Sequence, residues 1–106
     1  AAAPKSPGAL ARHVRVTLPA TDDFLMLAEV EVLSGGKNVA RGRPARQSST
    51  GFGGDAARAV DGRTDGNFGA GSVTHTNPEA NPWWEVDLGA AVPIDARGRV
   101  LLVRQF

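Results

Sequence analysis

Residues 61–72 combine two Asp-Gly turns with the oxygen-bearing side chains of Asn67 and Ser72. Hard cations such as calcium prefer carboxylate, hydroxyl and carbonyl oxygens, and glycine lets a loop turn its carbonyls inward. An EF-hand is excluded, because Arg63 and Ser72 occupy positions where that motif needs an acidic or amide residue and a glutamate. The spacing leaves two interpretations open, a looser calcium loop or two ordinary Asp-Gly turns.

His75 lies between two threonines in a polar segment. A zinc site is not indicated, because zinc takes three or four ligands and His13, the other histidine, is distant in sequence. An imidazole in a loop can donate or accept a hydrogen bond, which suits a ligand rich in hydroxyl groups. The alternative is a solvated histidine in a turn.

Glu85 and Asp87 share one face of a predicted strand, beside Trp83, whose ring could stack on a sugar. Two carboxyl groups could serve as the acid and base of a glycosidase, but the same spacing describes the solvent face of an edge strand. The chain has no cysteine and no Gly-x-Ser-x-Gly motif, so nucleophilic catalysis finds no support. We therefore predict that the protein is not an enzyme; a glycosidase fragment using Glu85, Asp87 and His75 is an alternative.

A basic stretch contains Lys37, Arg41, Arg43 and Arg46. Nucleic-acid binding usually adds interleaved aromatic residues on which bases stack, and this stretch has none. We interpret the stretch as a solvated sheet edge, where charges hinder aggregation, and predict no nucleic-acid partner. A phosphate- or sulfate-binding surface is the alternative.

The composition indicates one small domain rich in turns. The chain has 106 residues, a net charge of +1 and no cysteine, which excludes a second core, a disulfide framework and a thiolate zinc site. Its 13 glycines and 7 prolines disfavour a helical bundle. No apolar run approaches the roughly 18 residues of a membrane span, so none is predicted.

Alternation of apolar and polar residues predicts strands at 13–18 and 24–33, joined as an antiparallel hairpin because they are close in sequence. On the second strand, one face is expected to carry Met26, Ala28, Val30 and Val32, and the other Glu29 and Glu31. Residues 37–49 predict an edge strand, since Pro44 cannot donate to a central ladder. Residues 1–11 are expected to form a flexible linker, and residues 12–106 a single domain.

Further elements are expected at 55–60, 72–76, 83–88 and 99–103. Asp55 should cap a short helical turn, because its carboxylate can accept from the free amides of that turn. The segment at 72–76 can be a strand, and the one at 83–88 should direct Trp84, Val86 and Leu88 inward. Together these patterns predict an all-β sandwich of jelly-roll type with one short helical turn.

Several motifs then carry a resemblance to a known family. They are Lys37-Asn-Val-Ala40, Gln47-Ser-Ser-Thr50, Ala59-Val-Asp-Gly62, Asp65-Gly-Asn-Phe68, Gly71-Ser-Val-Thr-His-Thr76 and Asn81-Pro-Trp-Trp-Glu-Val-Asp-Leu-Gly89. Over residues 37–95 the chain resembles the fucolectins, a family that includes tachylectin-4- and pentraxin-like domains and is related to discoidin, or coagulation-factor type C, domains. The most specific piece is Ser72-Val-Thr-His75 followed by Asn-Pro-Trp-Trp-Glu-Val-Asp-Leu.

Residues 12–33 resemble strands that normally close this family's domain, yet here they come first. The module is therefore either circularly permuted or preceded by the tail of another copy. In a jelly roll the first and last strands are neighbours, so Ser34-Gly-Gly36 could join them without distortion.

The resemblance implies a galactose-binding-domain-like jelly roll that binds fucose- or galactose-type sugars, holds one structural calcium ion and works outside the cell or in its envelope. Carried over by position, the calcium ligands are the carbonyls of Ala28, Arg58 and Arg63, the carboxylates of Glu29 and Asp61, and Ser72. His75 falls on the family's sugar-contacting histidine.

The chain departs from the family after Asp95. Arg104 lies close to the place of one sugar-gripping arginine, but not in register, and a second arginine and the middle strands have no counterpart. The fold is therefore expected to be an incomplete jelly roll. A structural or interaction β-domain without a ligand, self-associating through an exposed sheet edge, is the alternative function.

Overall fold

The computed structural model describes residues 10–63, 71–95 and, for the backbone, 98–102. The strands are β1 (Leu10–Thr17), β2 (Leu27–Ser34), β3 (Lys37–Asn38), β4 (Ala45–Gln47), β5 (Trp83–Pro93) and β6 (Gly98–Leu102). They form two antiparallel sheets with strand orders β1-β5-β4 and β3-β2-β6. A single 3-10 turn, η1 (Ala56–Val60), is the helical element of the described residues. The predicted all-β sandwich with a short helical turn is confirmed.

The main core lies between the two sheets, and Trp84 of β5 is its largest fully buried side chain. Trp84, Val86 and Leu88 all point inward, as their alternation predicts. The indole Nε1 of Trp84 donates a hydrogen bond of 2.9 Å to the carbonyl of Ala56, which satisfies the one polar atom of the ring. This bond fixes η1 against the sheet that contains β5.

The hairpin expected between the first two strands is wrong. β1 pairs with β5, and β2 lies in the other sheet between β3 and β6. The connection between β1 and β2 bonds instead to residues 79–81, where Asp23 and Glu79 exchange backbone hydrogen bonds of 3.1 and 3.0 Å. Because the β1–β2 connection bonds to residues 79–81 rather than forming a turn, the chain passes from the sheet of β1 to the sheet of β2.

The simple alternation expected along β2 is also wrong. The pairing of β2 with β6 shifts register between Leu27 and Glu29, so the residues before and after the shift face differently. Met26 and Ala28 pack with Val73 in a separate small cluster, while Leu27, Val30 and Val32 join the main core. As a result Glu29, expected to share a face with Glu31, is only 1% exposed, whereas Glu31 is partly buried.

β2 and β3 form a tight hairpin through Gly35 and Gly36, whose φ angles are 59° and 81°. Two successive positive φ angles are those of a type I′ turn, which glycine adopts without strain. The carboxylate of Asp95 accepts the N–H groups of both glycines at 3.1 and 3.0 Å. Ser34-Gly-Gly36 therefore joins β2 to β3 without strain, while the correspondence of β2 to a closing strand stays a prediction.

Residues 37–49, predicted as one edge strand, form two short strands, β3 and β4, at the edges of different sheets, and residues 72–76 do not form a strand. They run extended beside the start of β2, where Thr74 and Thr76 donate through their N–H groups to the carbonyls of Leu27 and Leu25. The threonine hydroxyls accept the N–H groups of the same two residues at 2.9 and 2.8 Å. Side-chain hydroxyls thus replace part of a strand ladder.

Asp95→Ala should destabilise the protein, because the Gly35–Gly36 turn loses the acceptor for two N–H groups. Two hydrogen bonds to a charged acceptor at a partly exposed position together contribute about 1–3 kcal/mol. The free energy of unfolding in urea measures this loss. Asp95→Asn keeps one acceptor oxygen, so its stability should lie between those of Asp95→Ala and the wild type. Equal stability of all three proteins would contradict the role given to Asp95.

Candidate ligand and metal site

His75 is held rigidly by its own segment and by the loop at residues 51–54. The ring is part of a residue only 6% exposed, flanked by Thr74 and Thr76, whose hydroxyls fasten the segment to β2. The N–H of Gly51 donates to the His75 carbonyl at 2.8 Å, and the His75 N–H donates to the carbonyl of Gly54 at 3.0 Å. The histidine backbone is therefore bonded on both sides.

The hydrogen bonding of His75 assigns its neutral tautomer. Its Nδ1 lies 2.6 Å from the carbonyl oxygen of Thr76, which can only accept, so Nδ1 carries the proton and donates. In the neutral ring Nε2 is then the acceptor atom, and it suits the O–H of a ligand.

Two phenylalanines that the sequence reasoning missed enclose the imidazole of His75. Phe24 stacks on the ring with centroids 4.7 Å apart, and Phe52 meets it edge-on at 4.9 Å. Phe52 is 80% exposed and has a φ of +53°, a conformation that is costly for a bulky side chain. The only sequence signal was an aromatic residue within Gly51-Phe-Gly-Gly54.

Glycine at position 54 is required by close packing against His75. A Cβ atom there would lie 2.5 Å from the His75 nitrogen and 2.6 Å from its Cβ atom. The loop that carries Phe52 can approach the histidine only because Gly54 has no side chain.

Glu29 brings a carboxylate into the interior beside the Asp61 loop. Its Oε2 accepts the Gly62 N–H at 3.1 Å, while its Oε1 is buried with no hydrogen-bond partner. Burial raises the pKa of Glu29 to about 7; the hydrogen bond from Gly62 opposes the rise, and the nearby Asp61 carboxylate adds to it. A buried oxygen without a partner beside a second carboxylate is an environment that favours a proton or a cation.

The structure describes five further residues that were predicted as metal ligands. Asp61 is exposed and accepts the Arg63 N–H at 2.8 Å, Ser72 is fully buried, and Ala28 precedes Glu29 on β2. Arg58 donates through its guanidinium to the carbonyl of Val73 at 3.3 Å. Among the described residues no three acidic, histidine or cysteine side chains cluster, so a cation here would need main-chain oxygens. Arg104 lies outside the described residues.

Asp55 does not act as predicted at the start of η1. Its backbone is extended, with φ −62° and ψ 149°, but its side chain makes no capping hydrogen bond. Arg58 instead donates through its N–H to the main-chain carbonyl of Asp55 at 3.1 Å.

The two carboxyl groups of β5 face outward and are paired with arginines. Arg46 donates twice to one oxygen of Glu85, at 2.9 and 2.8 Å, and Arg15 lies 3.4 Å from the other oxygen. The hydrogen bonds from Arg46 lower the pKa of Glu85, and those from Arg12, with the Gly89 N–H, lower the pKa of Asp87 to about 2. Neither group would carry a proton near neutral pH, as the acid of a glycosidase must.

Trp83, whose ring could stack on a sugar, is half-buried and contacts two arginines. The Arg15 guanidinium lies 3.9 Å from its ring centroid, and that of Arg46 lies 5.7 Å away. Arg46 is thus a partner of Glu85 and Trp83 rather than only a solvated edge charge.

Comparison with known proteins places the likeness around these residues. Residues 58–97 match the F5/F8 type C family model described as NedA-like, galactose-binding domain. The matched range includes Asp61, Ser72 and His75. The resemblance to galactose-binding domains of this type is therefore confirmed over the middle of the chain.

Curated relatives match over part of the chain. Fucolectin from Anguilla anguilla is 56% identical over 34 residues, which are 32% of this chain and 22% of the relative. Fucolectin-5 from Anguilla japonica is 42% identical over 57 residues, 49% of this chain and 30% of the relative. The pentraxin fusion protein of Xenopus laevis is 38% identical over 55 residues, 51% of this chain and 13% of the relative. The chain thus spans less than a third of these relatives, and no solved structure matches it.

The Arg12–Asp87 pair should make stability depend on pH in the acid range. Because the pKa of Asp87 falls to about 2 in the folded state, its contribution is full above the unfolded value of about 3.9 and is lost as pH falls toward 2. The stability difference between wild type and Asp87→Asn should therefore shrink over that range in urea titrations. Arg12→Gln removes the hydrogen bonds that lower the pKa of Asp87, so its stability should likewise approach that of the wild type as the pH falls. A stability difference from the wild type that is constant with pH would contradict the prediction.

Proposed function

We propose that this chain, which is similar to fucolectins over part of its length, is a non-catalytic carbohydrate-binding module stabilised by calcium. The His75 site would take a fucose- or galactose-type sugar of a glycan or glycoconjugate. The likeness to a galactose-binding domain and to lectins supports carbohydrate binding in general. The choice of sugar, the calcium ion and action outside the cell are the finer parts of the proposal.

The observation that carries the proposal is the position of His75 between two phenylalanines. A sugar ring combines hydroxyl groups with a patch of C–H groups, so its recognition needs a polar atom beside an apolar surface. The Nε2 atom of His75 would accept a hydroxyl hydrogen, and the exposed ring of Phe52, 4.9 Å from the imidazole, would cover the C–H patch. A strained and exposed aromatic residue is more readily understood as a ligand contact than as part of the fold.

The residues around Glu29 fit a calcium ion by their chemistry. Calcium prefers carboxylate and carbonyl oxygens, and Glu29 supplies a buried oxygen that lacks a partner. Asp61 would add a second carboxylate, Ser72 an oxygen, and Ala28, Arg58 and Arg63 their carbonyls. When bound, the ion would supply positive charge that compensates the two carboxylates. The chain's own part is to hold β2 and the Asp61 loop together at the Glu29–Gly62 hydrogen bond.

Catalysis is not part of the proposal, because Glu85 and Asp87 are paired with arginines and have lowered pKa values. An extracellular location is proposed because the glycans that such modules bind are displayed there. Within the described residues no helix is long and apolar enough to cross a membrane.

A second candidate function is an interaction domain that pairs through a sheet edge. It is favoured by β1, an eight-residue strand at the edge of its sheet. The two functions use different residues and do not exclude each other.

His75→Ala should abolish binding of fucose and galactose, measured by calorimetry or on a glycan array, because the ligand loses its hydrogen-bonding partner. Phe52→Gly should weaken binding roughly threefold to tenfold, the equivalent of one aromatic contact. Phe52→Gly should also raise the free energy of unfolding by about 1 kcal/mol, because glycine adopts the positive φ of residue 52 without backbone strain. His13→Ala, at the other histidine, is the control and should bind as the wild type does. Sugar binding that survives His75→Ala would contradict the site.

Asp61→Ala should lower stability in millimolar calcium but not in excess chelator. A ligand at a hundredfold excess over its Kd stabilises the native state by about 2.7 kcal/mol, which moves Tm by roughly 10 °C in a domain of this size. The control is Asp55→Ala, because that exposed side chain makes no capping bond near the same turn. Thermal unfolding that is indifferent to calcium, or an equal loss in both solutions, would overturn the calcium proposal.

A further inference from the structure

The open side of β1 is determined by its hydrogen bonding to β5. The N–H of Leu18 donates to the Pro82 carbonyl at 3.0 Å, and the register continues with Val16 opposite Trp84 and Val14 opposite Val86. In an antiparallel pair, alternate residues bond to the same neighbour. The even-numbered residues of β1 therefore bond to β5, and His13, Arg15 and Thr17 direct their N–H and C=O groups to the other side. Within the described part of the chain, β5 is the only strand paired with β1.

The two edges of this sheet differ in how they resist pairing with another chain. β4 has three residues and follows Pro44, which cannot donate, so it offers a short edge. β1 has eight residues and no proline, and its one irregularity lies between Ala11 and His13. Residues 13–17 thus form a regular edge whose outward backbone groups pair with no other strand of the described ranges and can accept a new one.

The inward side chains of β1 leave apolar surface along the same edge. Val14, Val16 and Leu18 pack against the main core but are only partly buried. A strand added beside β1 would satisfy the outward backbone groups and cover these three side chains at once. Backbone pairing and apolar burial would therefore both favour a partner strand beside the open edge of β1.

The charges of β1 do not prevent such pairing. The guanidinium of Arg12 pairs with Asp87 at 2.9 Å, and that of Arg15 lies 3.4 Å from Glu85 and over the ring of Trp83. Each arginine is compensated within its own sheet, so two such edges can approach without an excess of like charge.

We propose that β1 pairs antiparallel with β1 of a second copy of this chain, making one continuous six-stranded sheet across a two-fold axis. The register sets Val16 opposite Val16 of the second copy, Arg15 opposite Thr17, and Val14 opposite Leu18. A register shifted toward the start of β1 would set Arg15 directly opposite Arg15 of the second copy, where the two guanidiniums are closer than in the register centred on Val16. The register centred on Val16 is self-complementary, which favours a second copy over an unrelated strand. The inference stands apart from sugar and calcium binding.

Thr17→Pro tests the pairing, because it removes an outward N–H while the β1–β5 bonds of the even-numbered residues remain. In the dimer this substitution removes two symmetry-related hydrogen bonds, so the dissociation constant measured by sedimentation should rise about tenfold or more. Thr17→Val, which keeps the N–H, is the control and should dimerise as the wild type does. The near-ultraviolet circular dichroism of both variants should match that of the wild type. A wild type that stays monomeric up to millimolar concentration, or a Thr17→Pro variant that dimerises equally well, would overturn the proposal.

Single-cysteine variants test the register, since the chain has no cysteine of its own. Val16→Cys should form a disulfide-linked dimer on mild oxidation, because residues directly opposite in such a pair have Cβ atoms close enough for that bond. Val14→Cys, opposite Leu18 in the same register, should stay unlinked and is the matched control. Absence of a link in Val16→Cys, or equal linking of both variants, would overturn the register.

Discussion

The burial of the Glu29 carboxylate is the constraint on which the arrangement around the candidate site depends. A carboxylate that is 1% exposed and has one oxygen without a partner must be compensated by a proton, a hydrogen bond or a cation. The register shift in β2 puts the side chain there, and the Gly62 N–H supplies the one hydrogen bond it has. The position of the Asp61 loop follows from this contact, because its backbone is drawn to β2.

The second half of the site is fixed by backbone bonding rather than by charge. Residues 72–76 gain strand-like pairing through threonine hydroxyls, and the loop around Phe52 approaches closely because Gly54 has no side chain. On the outer face of β5, by contrast, charged side chains form ion pairs between neighbouring strands. Arg12, Arg15 and Arg46 compensate Asp87 and Glu85, and two of the arginines cover Trp83. These pairs hold β1, β5 and β4 together.

Local patterns in the sequence predicted the parts of the fold that depend on nearby residues. The inward series from Trp84 to Leu88, the turn near residue 56 and the tight link at Gly35 belong to this class. Strand pairing could not be predicted in the same way, because β1 finds its partner about seventy residues along the chain. The register shift in β2 has no signature in its alternation, so the buried position of Glu29 was missed. The contacts of Phe24 and Phe52 with His75 likewise join distant residues.

The bond between the Trp84 indole and Ala56 has a consequence for the order in which the protein assembles as it is synthesised. Glu29, Asp61 and His75 all precede β5, so a ribosome releases them before the strand that anchors η1 exists. Until Trp84 emerges, the turn that leads into the Asp61 loop has no indole to bind and no central strand behind it. Nascent domains generally fold as units once their elements are complete. The segments that carry Asp61 and His75 therefore gain the support of Trp84 only after they have left the ribosome.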